Sequence, residues 1–441
     1  MKKFIGITLI LIITYVISTF VIGSKAETHV RSLLDKINQN PTISITMSDF
    51  EKGLFSSTAK FEFKLEMPMS PDINDLPTLT FTETMYHGPI LWRTSGFGLG
   101  LMDTSAKLVL SDEIKEAIAK VKSINKDTLS MTSRTTFDGS TTSYIDIAEI
   151  TIDDDNVTIN IHPTEADFYY SLDGHITGNF NWQGLDVVEQ GSNAVSMGNV
   201  NITLDQRLIR GDLFSANSIF SGSFESTVEK IIVTPKAAPT SVDLSNFIMK
   251  GDTTVRDNLM DVDMIFSIDS IKAMNMEFTQ FINDISLLSL NIDALEQMNE
   301  NIMKAQQNTD IPPELAGLAL LDSMSTSLPL FIETDPILKI NKLGVTTDEG
   351  EISTQMEISI DKDLYKADDP NTLMMAVEVH ASGEGPEAFF TKLGLAGPID
   401  MYVQQNMLIK EDGLVKFTFD FVKGETLVNG APLALEAMPQ Q

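Results

Sequence analysis

The sequence contains no cysteine among its 441 residues. This absence excludes disulfide bonds, thiolate nucleophiles and zinc sites built on cysteine, and it is compatible with an oxidising compartment. Positive charge is also scarce: 31 Lys and Arg stand against 62 Asp and Glu, so the formal charge is −31. Because so acidic a chain repels phosphate groups, we expect no nucleic acid among its partners.

Long hydrophobic runs are scarce too, with one exception near the start of the chain. This run extends from Phe4 through Ile10 to Ile22 and follows two lysines. A helix of this length spans roughly 28 Å, close to the thickness of the apolar layer of a bilayer. Residues 1–26 are therefore predicted to be a transmembrane anchor, and the positive-inside rule leaves the rest of the chain outside the cytoplasm.

The anchor has one alternative, a signal peptide that is removed. Ser24-Lys25-Ala26 offers small side chains of the kind that signal peptidase requires, with cleavage after Ala26. The apolar run is longer than the about 7–15 residues usual for the apolar region of a signal peptide. A retained anchor is therefore the favoured interpretation.

Alternation of apolar and polar residues dominates the sequence after residue 40. Between residues 60 and 67 every second residue is apolar, and the intervening Lys and Glu side chains suit water. This period of two is typical of half-buried antiparallel strands. The pattern recurs at 145–152, 157–161, 200–204, 356–360 and 415–421. Turn-forming pairs such as Asp173-Gly174 and Asn429-Gly430 lie between such segments, so we expect hairpins.

Helical patterns are fewer than strand patterns. Residues 27–38 carry an apolar stripe at helical spacing. Further helices are predicted at 112–121, at 292–303 with Asn291 as the cap, at 314–324, and at 399–409 with Pro398 marking the start. The sequence thus predicts an α+β protein, predominantly antiparallel β, with long twisted sheets packed against a minority of helices. A run with two prolines at 234–240 suggests a first half, 27–234, and a second half, 235–441, with one continuous domain as the alternative.

Several motifs together resemble a known family. Phe50-Glu51-Lys52-Gly53-Leu54-Phe55-Ser56-Ser57 follows the anchor and the amphipathic helix, and a C-terminal hairpin ends in Asn429-Gly430-Ala431-Pro432. This layout resembles the YdgA-like family of bacterial envelope proteins of unknown function, although Phe50 stands where that family usually has Tyr. The family-motif residues are Gly53, Leu54, Phe55, Ser56, Asn429 and Gly430. The resemblance implies an anchor in the bacterial inner membrane and a periplasmic body, and it supplies no catalytic residue.

Signatures of catalysis and metal binding are few. The histidines, His29, His87, His162, His175 and His380, form no closely spaced pair for a metal ion. The glycines in Gly96-Phe97-Gly98-Leu99-Gly100 lack phosphate-loop spacing and predict a tight backbone approach. Asp153-Asp154-Asp155-Asn156 is typical of a turn and lacks the glycine of a calcium loop. We therefore assign no catalytic residue, metal ligand or cofactor.

Three functions remain open on the sequence. The first is non-enzymatic binding of an apolar ligand such as a lipid, or of another envelope component, because 24 Phe and 22 Met suit a deformable apolar groove. The second is a structural role in which copies of the chain associate through exposed sheet edges to form a homo-oligomer. The third is a hydrolase that uses a pair of carboxylates.

Overall fold

The computed structural model describes most of the chain after residue 42. The described residues are 43–65, 78–92, 96–110, 115, 124–125, 127–154, 156–189, 194–212, 218–235, 241–273, 276–307 and 326–433, together with part of the stretch 16–38. The chain divides into two compact units. Unit 1 consists of residues 1–222 and 302–319, and unit 2 consists of residues 223–301 and 320–441.

Unit 1 is built mainly from short antiparallel strands. They are β1 (Ile43–Lys52), β2 (Ser56–Leu65), β3 (Leu79–His87), β4 (Ile90–Leu91), β5 (Gly98–Leu99), β6 (Met102–Val109), β7 (Leu129–Thr135), β8 (Thr141–Ile147), β9 (Ile150–Asp154), β10 (Val157–Ile161), β11 (Thr164–Tyr170), β12 (His175–Trp182), β13 (Leu185–Glu189), β14 (Ala194–Met197) and β15 (Val200–Arg210).

Nine of these strands form one antiparallel sheet, in the spatial order β1, β2, β3, β6, β7, β8, β11, β12, β15. β9, β10, β13 and β14 pair with one another, as do β4 and β5. Because each strand of the nine runs opposite to its neighbour, the connections after β1, β3, β7 and β11 all lie at the same end. We call this the hairpin end of the sheet.

The alternation seen in the sequence explains the strands. In β2, Phe61 and Phe63 are half-buried on one face, whereas Lys60, Glu62 and Lys64 are exposed on the other. The strand predicted at 60–67 is thus confirmed through residue 65, and residues 66 and 67 lie outside the described part. The strands predicted at 157–161, 200–204, 356–360 and 415–421 are confirmed as well. The segment predicted at 145–152 is divided between β8, which ends at Ile147, and β9, which begins at Ile150.

Unit 2 contains longer strands. β16 (Ile219–Thr234) includes the boundary between the units, and the others are β17 (Val242–Arg256), β18 (Leu259–Ala273), β19 (Met276–Asn291), β20 (Ile337–Thr347), β21 (Gly350–Ile360), β22 (Val377–Pro386), β23 (Ile409–Glu411), β24 (Leu414–Val422), β25 (Glu425–Val428) and β26 (Ala431–Pro432). From β17 to β22 each strand pairs with the next in the chain, followed by β24, β25 and β26, and β23 pairs with β24.

Apart from residue 115 and the helical residues between 16 and 37, the described helices are few. They are α1 (Ile292–Gln307), α2 (Leu373–Ala376), α3 (Glu387–Lys392) and α4 (Ala396–Gln404), with one turn of 3-10 helix at Pro370–Thr372 and further helical residues at 326–332. Asn291 caps α1, because its Oδ1 accepts hydrogen bonds from the backbone N–H groups of Asp293 and Ala294 at 2.9 and 3.3 Å. The helix predicted from residue 292 is confirmed.

Of the other predicted helices, one has different bounds in the structure and two lie almost wholly outside the described residues. The helix predicted at 399–409 is wrong in its bounds: α4 runs from Ala396 to Gln404, and β23 already begins at Ile409. Pro398 lies inside the first turn of α4, where the missing N–H of proline is tolerated, so it did not mark the start. Asn406, with a φ of 59°, turns the chain after the helix. The helices predicted at 112–121 and 314–324 fall almost wholly outside the described residues.

The N-terminal stretch is helical wherever residues 16–37 are described. Val30, Leu34 and Ile37 are half-buried while Arg31 is exposed, as the predicted amphipathic stripe requires. Of the predicted anchor residues, Phe4 and Ile10 lie outside the described residues. Ile22 is helical and half-buried. Within the described part of the chain, no helix combines the length and the apolar character needed to cross a membrane.

Candidate functional site

The end of the N-terminal apolar run packs against the hairpin end of unit 1. Thr19 is fully buried, and its side-chain hydroxyl donates a hydrogen bond to the backbone carbonyl of Gly88 at 2.8 Å. One helical turn later, Gly23 lies against the ring of His87, where a Cβ on Gly23 would come within 2.3 Å of His87 Cε1. Glycine at position 23 therefore permits this close approach.

His87 also contacts the turn between β1 and β2, residues 53–55. Its backbone N–H donates to the carbonyl of Phe55 at 2.9 Å. In the side chain, Nε2 lies 3.0 Å from Ser57 Oγ and Nδ1 lies 3.5 Å from the carbonyl oxygen of Leu54. Burial lowers the pKa of His87, so the ring is held in its neutral form.

Ser57 and His87 have the residue types of a nucleophile and a base, but their surroundings are structural. Their exposed fractions are 1% and 3%, so neither is open to a substrate from solvent. The second ring nitrogen faces a backbone carbonyl, whereas a catalytic triad places a carboxylate there. The pair therefore joins the family-motif turn to β3 and to the N-terminal helix.

A buried ion pair lies next to this region. Asp103 on β6 is fully buried, and Arg134 on β7 donates to its two carboxylate oxygens through Nε and Nη2 at 2.7 and 2.9 Å. Nη2 also donates to the carbonyl of Gly96 at 2.7 Å. The hydrogen bond with Asp103 raises the pKa of Arg134. Arg134 thus ties the glycine-rich loop to the sheet, in agreement with the tight approach predicted for 96–100.

One row of polar side chains crosses the sheet of unit 2. Directly paired residues on successive strands are Asp252, Asp263, Ser286, Lys339, Glu357, His380 and Asp420. Lys339 Nζ lies 2.9 Å from the Glu357 carboxylate, and His380 Nδ1 lies 2.7 Å from that of Asp420. Charges in this row are therefore largely paired within the protein.

Two adjoining depressions of about 500 and about 420 Å³ lie on this polar face. They share Gln355, Ser382 and Thr418. The family-motif residue Asn429 lines the smaller one: its Oδ1 accepts from the Thr418 N–H at 2.8 Å, and its Nδ2 donates to the Asn406 carbonyl at 3.0 Å. The hydroxyl and amide groups that the two depressions share suit a polar ligand, whereas Ile409 and Phe417 add apolar surface to the smaller one. The apolar groove expected from the Phe and Met content stays a prediction.

Three of the described histidines pair with an aspartate, His162 and His175 through Nε2 and His380 through Nδ1. The pairs are His162–Asp186 at 2.9 Å, His175–Asp205 at 2.7 Å and His380–Asp420 at 2.7 Å. This repetition indicates that a histidine on a solvent-exposed face commonly forms its hydrogen bond with a neighbouring aspartate. Among the described residues, no three His, Asp or Glu side chains are grouped so that they could hold a metal ion.

The two parts of the family motif lie in different units. Gly53, Leu54, Phe55 and Ser56 are at the hairpin end of unit 1, while Asn429 and Gly430 form the turn between β25 and β26 in unit 2. Each part of the motif therefore contributes to the turn in which it lies.

Sequence reasoning missed the ion pair of Asp103 and Arg134 completely. Its one signal was an arginine in an otherwise uncharged strand, β7. The strand pattern gave no partner for that arginine.

The chain was compared with families, curated proteins and solved structures. A family model described as "Bacterial protein of unknown function (DUF945)" matches residues 1–436. The searches of curated proteins and of solved structures give no match. The family match covers nearly the whole chain, including residues of both units.

Proposed function

We propose that this chain, which belongs to the DUF945 family of bacterial proteins of unknown function, is a YdgA-like envelope protein tethered to the inner membrane. Residues 4–22 form its single anchor, and the body lies in the periplasm. It acts without covalent catalysis, by binding an apolar component of the envelope.

The observation that carries this proposal is the packing of the end of the apolar run. Thr19 is fully buried and bonded to Gly88, and Gly23 lies on His87. Cleavage after Ala26 would remove both residues and leave His87 and the Gly88 carbonyl without these contacts. This supports a retained anchor over a signal peptide.

Charge supports the direction of insertion. Lys2 and Lys3 precede the apolar run, and the positive-inside rule keeps them in the cytoplasm. With a formal charge of −31, the chain has little to attract it to anionic lipid headgroups. Attachment through an apolar segment suits such a protein.

Binding is favoured over hydrolysis because the side chains that could act in catalysis are enclosed or belong to a repeated pairing of histidine with aspartate. Ser57 and His87 are enclosed, and the pair of His380 and Asp420 has two counterparts elsewhere in the described residues. Large apolar side chains in unit 1, among them Trp92 at 53% and Phe97 at 78% exposure, offer surface for an apolar component.

Self-association through sheet edges has less support. On β1, which lies at the edge of the nine-stranded order, the side chain of Asn38 occupies the hydrogen-bonding positions of Ile45. Asn38 Nδ2 donates to the Ile45 carbonyl, and the Ile45 N–H donates to Asn38 Oδ1, both at 2.8 Å. A covered edge position cannot pair with another strand.

Cell fractionation tests the proposal. With an epitope tag at the C-terminus of the full chain, we expect the uncleaved mass in the inner-membrane fraction after an alkaline wash, and digestion of the tag when protease is added to spheroplasts. Ile10→Lys should reduce the membrane-bound fraction, because a lysine at the centre of a span costs about 2.5–3.5 kcal/mol.

The matched control is Ile10→Leu, which should leave the membrane-bound fraction unchanged. A chain found only as a soluble form that begins after Ala26 would overturn the proposal.

A further inference from the structure

The hairpin end of unit 1 displays eight exposed apolar side chains. They sit on the four successive connections after β1, β3, β7 and β11. With their exposed fractions, they are Leu54 (43%), Phe55 (50%), Ile90 (37%), Trp92 (53%), Phe97 (78%), Leu99 (60%), Phe137 (56%) and Leu172 (74%). We call these eight residues the apolar edge.

Two of the turns in the apolar edge share one design. Residues 136–139 and 171–174 both read hydroxyl, large apolar, Asp, Gly. In the first, Thr136 donates to Asp138, and in both the turn is closed by a hydrogen bond from the glycine N–H to the carbonyl three residues earlier, at 3.1 and 3.0 Å. Gly139 and Gly174 have φ values of 84° and 83°. Each rigid turn thus holds its apolar residue outward.

The turns also support one another. A Cβ placed on Gly139 would lie 2.5 Å from Leu172 Cδ1, so the Leu172 side chain covers the neighbouring turn. The loop that carries Phe97 is fixed by Arg134 through the Gly96 carbonyl, and the Leu101 N–H donates to the Thr135 carbonyl at 2.8 Å. The apolar edge is therefore a preorganised surface.

The opposite end of the same sheet provides an internal comparison. The described turns at that end include Ala148-Glu149, His162-Pro163 and Gln183-Gly184. None of these described residues is a large exposed apolar side chain. These described turns thus show no counterpart of the apolar edge, although β13, which follows Gly184, carries Val188 at 49% exposure. A group of exposed apolar side chains at one end of a sheet marks an interaction site.

The position of the N-terminal helix identifies the partner. Thr19 and Gly23, at the end of the predicted anchor, contact Gly88 and His87 at this same end of the sheet. Where an anchor leaves the membrane, the surface beside it faces the lipid. Tryptophan suits the boundary between headgroups and acyl chains, because its ring can be buried while its N–H stays wet. Phenylalanine and leucine add purely apolar side chains of the kind that insert at this boundary.

We infer that the apolar edge inserts into the interfacial layer of the bilayer beside the anchor. Unit 1 then contacts the membrane directly and is not attached through the anchor helix alone. This inference rests on the proposed function. Asp138 lies next to Phe137, and its carboxylate is bonded within its own turn, to Thr136 and to the Ser140 N–H at 3.0 Å. The apolar side chains supply the insertion, and the formal charge of −31 favours zwitterionic over anionic lipid.

Trp92 provides a direct test, since it is one of only two tryptophans in the chain. The other, Trp182, ends β12 at the opposite end of the sheet. The variant Trp182→Phe leaves Trp92 as the sole tryptophan reporter. In full-length chain reconstituted into phosphatidylcholine vesicles, we expect Trp92 emission to be blue-shifted and to be quenched by lipids brominated near the headgroup end of the acyl chain.

Two sets of variants sharpen the test. Trp92→Phe, which leaves Trp182 as reporter, should show no quenching. The triple variant Phe97→Ser, Phe137→Ser, Leu172→Ser in the Trp182→Phe background should lose most of the quenching while still floating with the vesicles. Tyr144→Ser and Val188→Ser, at exposed positions outside the apolar edge, are the matched controls and should retain it.

The outcomes separate this inference from the proposed function. Flotation with vesicles without quenching of Trp92 would overturn the apolar edge as a membrane contact and leave the anchor intact. Failure to float would overturn the anchor and the inference with it. A blue shift without bromine quenching would show that a second copy of the chain covers the edge, which also overturns the inference.

Discussion

Arg134 holds both carboxylate oxygens of the fully buried Asp103, at 2.7 and 2.9 Å, and bonds the Gly96 carbonyl with the same guanidinium. Arg134→Met would leave the carboxylate buried without its partner, and we expect the free energy of unfolding to fall by about 3–5 kcal/mol. Urea denaturation of the full chain in detergent measures it. Arg31→Met, which removes an exposed pair with Glu27, should change it by less than about 0.5 kcal/mol. Equal midpoints for the two variants would contradict the buried pair.

His87 predicts a specific dependence of stability on pH. Burial lowers its pKa in the folded chain. As the pH falls through the usual histidine pKa of about 6.5, the unfolded chain binds a proton that the folded chain resists, so the free energy of unfolding decreases. His87→Gln removes this contribution of the histidine. The free energy of unfolding of the variant should therefore decrease less between pH 7 and pH 5, measured by the midpoints of urea denaturation. An identical decrease in the variant would show that His87 is accessible to protons in the folded state.

Glu83 predicts the opposite dependence. Burial raises its pKa, and a hydrogen bond with Thr104 only partly opposes this. As the pH rises above the ordinary glutamate pKa, the unfolded chain loses its proton first, so the folded state loses stability until its own raised pKa is passed. Glu83→Gln should therefore raise the denaturation midpoint at pH 7.5, with a gain that shrinks toward pH 4. Glu62→Gln, at an exposed position on β2, should have little effect at either pH.

Phe63 tests the register of β2. It is half-buried on the same face as Phe61, so Phe63→Asp places a charge against an apolar face and should lower the free energy of unfolding by about 2–4 kcal/mol. Lys64→Asp, on the exposed face of the same strand, should cost about 1 kcal/mol or less. Thermal or urea unfolding of the two variants measures both changes in stability. A Phe63→Asp variant as stable as the parent would mean that the assigned face is wrong.

Much of the fold followed from local pattern. Period-two alternation located strands such as β2, β10 and β24. Asp173-Gly174 and Asn429-Gly430 located the hairpins β11–β12 and β25–β26. The cap at Asn291 located the start of α1. Pro398 was misleading, because proline is tolerated at several positions of a first turn. Phe137-Asp138-Gly139 and Leu172-Asp173-Gly174 carried a readable signal, a large apolar residue in a tight turn, that sequence reasoning passed over.

By itself, the sequence determined the class of the protein: antiparallel strands with one wet face, few helices, and a strongly acidic chain with one long apolar run at its start. These properties depend on neighbours in the chain, where side-chain period and turn chemistry act. Only the tertiary structure decided that Thr19 is buried on Gly88, that Arg134 meets Asp103, and that four separate turns align their apolar residues at one end of a sheet. Those relationships join residues dozens of positions apart, and they follow from strand order and register, which local alternation leaves open.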